Sequence, residues 1–266
     1  MLRLASPGAF GIAAIQFELM MSTILFLSRE GVRNAILRAW PTKKSQDGHQ
    51  AIMITNVATL PLFIGIPLAA ATCGFYSFIA ALEAKSQPFF TLSICIYALA
   101  AVTELTSEPM HIRTMGEVLT GIRVKAEGTG VIFKTLVTCA ILWGDSLRKT
   151  GAGDLALLAF AFGQLSYSMV VLLTYYAHFR SLLLWPRRPL DGKMANLLDL
   201  KQYQLLFDRS IVSLSSTMTA QSLFKHLLTE GDKFILSWLS PLQDQGGYAL
   251  AVNYGGFMAI LVRGKA

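Results

Sequence analysis

Apolar blocks about 20 residues long recur along the 266-residue chain, and Lys and Arg fall almost entirely in every second gap between them. Crossing a bilayer core about 30 Å thick takes roughly 20 apolar residues of helix. Lipid offers the backbone no hydrogen-bond partners, so blocks of this kind read as helices. The expected fold class is all-α, a polytopic bundle of membrane helices.

Composition agrees. Only 15% of residues are charged and mean hydropathy is +0.50, whereas soluble domains carry nearer a quarter charged residues. The net charge of +7 could suggest nucleic acid, but the cations flank apolar blocks, where the positive-inside rule accounts for them. No nucleic-acid partner is expected. Cys73, Cys95 and Cys139 each lie in an apolar stretch without metal-ligand spacing, and read as small buried hydrophobes. No cleavable signal pattern opens the chain, and no Asn-x-Ser/Thr acceptor occurs in it.

The blocks fall at about residues 8–27, 51–79, 89–105, 131–143 and 155–176, with an unusually polar one starting near residue 210 and a weak one at 248–262 that looks cut short. Alternate gaps hold 14 cations, among them Arg29, Arg33, Lys43, Arg123, Lys125 and Arg188, against three in the others, Lys85, Arg148 and Lys149. The rich gaps are therefore expected on the cytosolic side. The first block then enters from the opposite side, which implies that a spanning helix before it is missing. The chain divides into an N-terminal lobe (1–180), a cytosolic linker (181–209) and the start of a second lobe (210–266). In the linker, Leu197, Leu198, Leu200, Leu205, Leu206 and Phe207 alternate with polar residues. An interfacial helix and a plain linker both fit.

Enzyme motifs are weak. Residues 151–156 (GAGDLA) match the dinucleotide pattern G-x-G-x-x-A but follow no strand. A loop with Asp154 as helix N-cap is the better reading. His49, His111, His178 and His226 show no ligand spacing. No catalytic residue, cofactor or metal is expected. Intramembrane charge says more: Glu18, Glu104 and Lys134 each cost about 2.5 kcal/mol or more at mid-depth. Glu104 and Lys134 sit near the ends of their blocks and can snorkel, whereas Glu18 lies mid-block beside Gln16. The polar block packs Ser213, Ser215, Ser216, Thr217, Thr219 and Ser222 together, as helices do that line a cavity or press closely on a neighbour. Lys225, Glu230, Asp232 and Lys233 cluster at its expected end.

Five stretches then resemble the Rft family of eukaryotic oligosaccharide-translocation proteins, in order along the chain: 22–30 (STILFLSRE), 107–109 (SEP), 123–128 (RVKAEG), 227–233 (LLTEGDK) and 244–250 (DQGGYAL). The resemblance implies a multi-pass protein of the endoplasmic reticulum membrane, in the superfamily of multidrug antiporters and lipid-linked precursor flippases. It implies translocation, or support of translocation, of Man5GlcNAc2-diphosphate-dolichol for N-glycosylation, without covalent chemistry. Members begin with a further helix and continue for several more, so the resemblance covers about the first half of a member. A truncated gene model or fragment is expected, inactive alone, because such transporters rock one lobe against another. Candidates for cargo contact or gating are Gln16, Glu18, Lys225, Glu230, Asp232 and Lys233. The implied partners are the lipid-linked oligosaccharide, membrane lipids and membrane proteins of the glycosylation pathway. A cation-coupled antiporter and a non-transporting scaffold for glycosylation are the rival readings.

The charge asymmetry makes a topological prediction. Cysteines placed at Lys43, Arg123 and Arg188, in a background without native cysteines, should react with an impermeant maleimide from the cytosolic face of sealed microsomes. Reaction only after the lumen is opened would reverse the orientation.

Overall fold

The structure, a computed structural model, describes residues 5–40, 48–80, 82–148, 153–187 and 206–263. Ser6 starts the first helix: its hydroxyl accepts from Ala9 N at 3.2 Å, and Pro7 occupies the first helical turn, where its missing N–H costs nothing. This helix, α1 (Pro7–Gly11), runs through a π-helical stretch (Ile12–Phe17) into α2 (Glu18–Arg38). There follow α3 (Gly48–Val57), α4 (Leu60–Ile79), the short α5 (Leu82–Lys85), α6 (Phe90–Thr106), α7 (Glu108–Gly116), α8 (Thr120–Ser146) and α9 (Ala156–Phe179). Two more, α10 (Arg209–Leu239) and α11 (Leu242–Arg263), close the chain's described part. Asp208 caps α10, accepting from Ser210 N at 2.9 Å and Ile211 N at 3.3 Å. The Ser210 hydroxyl, and then these two amides, hold its carboxyl below the usual range.

Among the described residues four helices are long and apolar enough to cross a membrane, and a fifth span arises if α6 and α7, bent by 42°, count as one. The chain is an all-α, multi-pass membrane bundle. Helix α10 is not among those four: its hydroxyls and charges dilute its hydropathy.

Helix α2 is central. One side packs Phe17, Met20 and Ile24 against Tyr97 and Leu105 of α6 and, through α1, against Leu157 and Ala161 of α9. Phe17 and Tyr97 rings meet at 4.9 Å. Toward its C-terminal end, Val32 and Ile36 join Ile54, Val57, Ile112, Phe207 and Ile211 in a second apolar cluster. The opposite side packs along α10. Here a Cβ on Gly31 would fall 2.7 Å from Thr219 Cα, so glycine is what lets the two backbones approach. Helices α4 and α6 run antiparallel, with Leu105 seated where Gly65 has no side chain.

Several sequence expectations shift. Lys134 is not near a helix end: α8 starts at Thr120, so Lys134 lies mid-helix. The charged run 225–233 does not end its helix, because α10 continues through Gly231 to Leu239. Arg29 and Arg33, counted with a loop, sit inside α2. The last block is helical from Leu242 to Arg263, longer than its apolar core suggested. Asp154 is not the cap of α9. Leu155 takes that position, with no side chain capping it, and Asp145 at the end of α8 holds the turn before it, its Oδ2 accepting from Gly153 N at 2.8 Å and Leu155 N at 3.2 Å. Most of the expected interfacial helix, with Leu197, Leu198, Leu200 and Leu205, lies outside the described residues, as do Gly151 of the GAGDLA stretch, Lys43 and Arg188.

Gly31→Leu should therefore push α10 from α2 and destabilise the purified protein by about 1–3 kcal/mol, the usual range for overpacking. Thermal unfolding in detergent measures it. Gly144→Ala, with no atom within 4 Å of the new Cβ, should leave the transition unchanged or slightly raised.

Candidate functional site

Buried charge needs partners, and α2 supplies two cations one helical turn apart. Arg29 and Arg33 meet Glu104 and Glu108, also four apart, across the α6–α7 break. Arg29 Nη1 lies 2.6 Å from Glu104 Oε1. Arg33 donates twice to Glu108, Nε to Oε1 at 2.7 Å and Nη2 to Oε2 at 2.8 Å, the planar fork that suits guanidinium and carboxylate. The Glu108 side chain is 2% exposed. Local sequence aims it there. Pro109 stands in the first turn of α7 at the bend, and the Ser107 hydroxyl donates to Glu104 O at 2.7 Å, finishing α6. Glu104 and Glu108, four residues apart, face α2 from either side of the bend. Next to it, His111 Nδ1 lies 3.0 Å from Tyr175 Oη, tying α7 to α9.

Beside these pairs opens a cavity of about 410 Å³, lined by Glu18, Ser22, Arg29, Glu30, Arg33, Glu104, Lys134, Gln164 and Tyr167. Glu18 is exposed to it although Phe17 and Leu19 on either side are buried. Lys134 makes no ion pair among the described residues. With Arg29 and Arg33 each held by a carboxylate, Lys134 is the cation left available there.

A second cavity, about 430 Å³, lies on the α10 side of α2, lined by Glu30, Asn34, Arg38, Gln221, Ser222 and Lys225. Glu30 borders both cavities. Lys225 Nζ stands 3.8 Å from Glu30 Oε1 and 5.7 Å from the centre of the Phe26 ring. Polar residues thus line α2 from Glu18 to Arg38, a rise of about 30 Å at 1.5 Å per residue. That equals the thickness of a bilayer core.

The structure separates the sequence candidates. Glu18 lines the first cavity and Lys225 the second. Gln16 lines a third, largely apolar cavity of about 560 Å³ with Met20, Thr23, Tyr76 and Phe234; its Nε2 donates to Gln245 Oε1 at 3.1 Å, and Gln245 in turn donates to Leu236 O and Ser240 O at the end of α10. Glu230 pairs with Lys233 at 2.7 Å. Asp232 accepts from the Tyr248 hydroxyl of α11. The four charges of 225–233 therefore do not converge on one point. Arg29, Arg33, Glu108 and His226 are missing from the sequence list. His226 is buried on α10, Nε2 2.9 Å from Thr23 Oγ1 and stacked on Phe26 at 5.0 Å. The matched spacing of Arg29/Arg33 and Glu104/Glu108 was the available signal. Among the described residues no three His, Cys, Asp or Glu side chains could hold a metal ion.

Comparison with known proteins follows this geometry. The family model described as Rft protein matches residues 1–263. The chain is 31% identical to the Man(5)GlcNAc(2)-PP-dolichol translocation protein RFT1 of Schizosaccharomyces pombe, over 98% of its own length and 49% of that protein's. It is 30% identical to the protein of that name from Dictyostelium discoideum, over 92% and 45%, and 29% identical to that from Saccharomyces cerevisiae, over 98% and 51%. The chain thus spans about half the length of these relatives. No solved structure matches it.

The buried and exposed pairs should differ in worth. Glu108→Ala strands Arg33 and should cost about 3–5 kcal/mol. Glu117→Ala, which breaks the exposed pair with Arg113, should cost about 0–1 kcal/mol. Thermal unfolding of both variants in the same detergent measures the difference, and equal losses would contradict it.

Proposed function

This chain belongs to the Rft family, and from that premise we propose that it forms the N-terminal lobe and the start of the second lobe of a protein of the endoplasmic reticulum membrane that moves a dolichyl-diphosphate-linked oligosaccharide across the bilayer, or supports that movement, for N-glycosylation. The cargo is the one that the relatives' names carry, Man(5)GlcNAc(2)-PP-dolichol. No bond is made or broken.

One observation carries the reading: polar residues line α2 over a length equal to the thickness of a bilayer core, with cavities on two sides of it. A sugar diphosphate is too polar to cross hydrocarbon, as the cost of a single buried charge shows. It needs hydrogen-bonding side chains at every depth. Glu18, Gln164 and Tyr167 offer acceptors and donors suited to hydroxyls, and Lys134 an ammonium suited to phosphate. The paired arginines shape the wall instead of binding cargo. Lys225, held only loosely by Glu30 at 3.8 Å and 66% exposed, is a second cation within reach of a diphosphate. Gln16, through Gln245, joins the first lobe to the start of the second. Together with Glu230, Asp232 and Lys233, it serves the movement of one lobe against the other.

In a full-length family member, Lys134→Gln at the matching position should weaken hold on the diphosphate by roughly tenfold, the loss of about one charge-assisted hydrogen bond. Underglycosylation of a reporter glycoprotein in a deficient eukaryotic strain reads it out, with membrane insertion checked in parallel. Lys125→Gln, on α8 outside both cavities, should be silent. Full activity of the Lys134 variant would count against a cargo role for this cavity. Loss only on substitution of exposed loop residues would favour a scaffold.

A further inference from the structure

Two of the three cysteines meet. Cys73 of α4 and Cys95 of α6 lie 22 positions apart in sequence, with their Sγ atoms 3.8 Å apart. This contact follows from the register of the antiparallel pair. Toward one end Leu105 fills the notch at Gly65. Eight residues further along α4 is Cys73, and ten residues back along α6 is Cys95, so the thiols face each other near the other end. Cys73 packs against the apolar core, while Cys95 is exposed at its edge. Cys139 on α8 has no such neighbour among the described residues. The thiols lie about one and a half turns from the 80–89 connection, at roughly 9 Å of helix from Ile79 and 8 Å from Phe90.

That connection is the gap with only Lys85, the side expected to be lumenal. The orientation rests on the endoplasmic reticulum reading above. The lumen is an oxidising compartment, in which disulfides form and persist. The gap between the sulfurs must close from 3.8 Å to about 2 Å. Rotation of a cysteine side chain about its Cα–Cβ bond sweeps its sulfur through a distance of that order.

We propose that Cys73 and Cys95 are a modification site: an intramolecular disulfide that staples α4 to α6 in the lumenal half of the lobe. The oxidant is a small or protein disulfide, RSSR, of the lumen. One cysteine thiolate attacks RSSR and expels RS⁻. The other thiolate attacks the mixed disulfide and expels a second RS⁻. Both cysteine protons end on two RSH, and the two electrons lost by the pair reduce RSSR. The staple links the Gly65–Leu105 contact to a covalent one at the other end, so α4 and α6 move as one body when the lobe moves.

Trypsin tests this directly, because cleavage after Lys44, Lys85 and Arg113 puts Cys73 in the peptide 45–85 and Cys95 in the peptide 86–113. The chain is expressed in eukaryotic microsomes, its free thiols are blocked with N-ethylmaleimide under denaturing conditions, and it is digested without reductant. The expected product is 45–85 joined to 86–113, two hydrogens lighter than the sum of the reduced peptides. Cys139 should carry N-ethylmaleimide. Reduction should lower the unfolding midpoint of the wild type by roughly 5 °C and leave that of Cys95→Ser unmoved. A second form carries a flexible insert with an Asn-Gly-Thr acceptor between Gln87 and Pro88. If the insert is glycosylated but Cys73 and Cys95 both carry N-ethylmaleimide, the orientation stands and the staple is overturned. If the insert is unglycosylated and both thiols are blocked, the orientation fails and the staple with it.

Discussion

Two guanidinium groups inside a membrane bundle set the terms for everything around them. A charge at that depth must be matched or left facing water. Arg29 and Arg33 are matched, one turn apart, by Glu104 and Glu108, one turn apart. The match fixes α2 against the α6–α7 break in both rotation and height, since sliding either element by one residue would unpair both contacts. Glu104 and Glu108, four residues apart, keep one face toward α2 across the bend at Ser107–Pro109.

Once those pairs are satisfied, the charges beside them are the ones with capacity to spare. Lys134 and Glu18 reach the first cavity and Lys225 and Glu30 the second. The same helix therefore holds a rigid charged spine on one stripe and an accessible polar surface on the next. His226 on Thr23 and Gln245 on Gln16 tie α10 and α11 to α2 by single neutral hydrogen bonds. Such bonds contribute about 1 kcal/mol each, beside the close packing of α10 on α2 at Gly31 and Thr219.

The spans were legible because 20-residue apolar blocks leave few alternatives to a helix. Their ends were not. Hydropathy sees a helix only where it is apolar, so it lost the polar first turns of α8 and the charged half of α10. That error moved Lys134 and Lys225–Lys233 to helix ends. Glu18 was legible as an isolated charge among apolar neighbours. Glu108 was not, since it stands in a Ser-Glu-Pro turn that reads as a loop, and its partner lies 75 residues away. Gln16 looked like a cavity residue by composition and does line one, but only its contact with Gln245 shows that it also bridges elements. The Cys73–Cys95 contact depends on helix register between α4 and α6, which no single-segment pattern carries.

A double-mutant cycle on Arg33 and Glu108, read as thermal unfolding of the purified chain, tests this scheme most directly. Arg33→Met alone should leave a buried carboxylate without a partner and destabilise by about 3–5 kcal/mol, while the double replacement Arg33→Met with Glu108→Met should recover most of that loss. Additive losses, with the double variant as unstable as the two single changes combined, would contradict the pairing on which the arrangement of α2, the bend and both cavities depends.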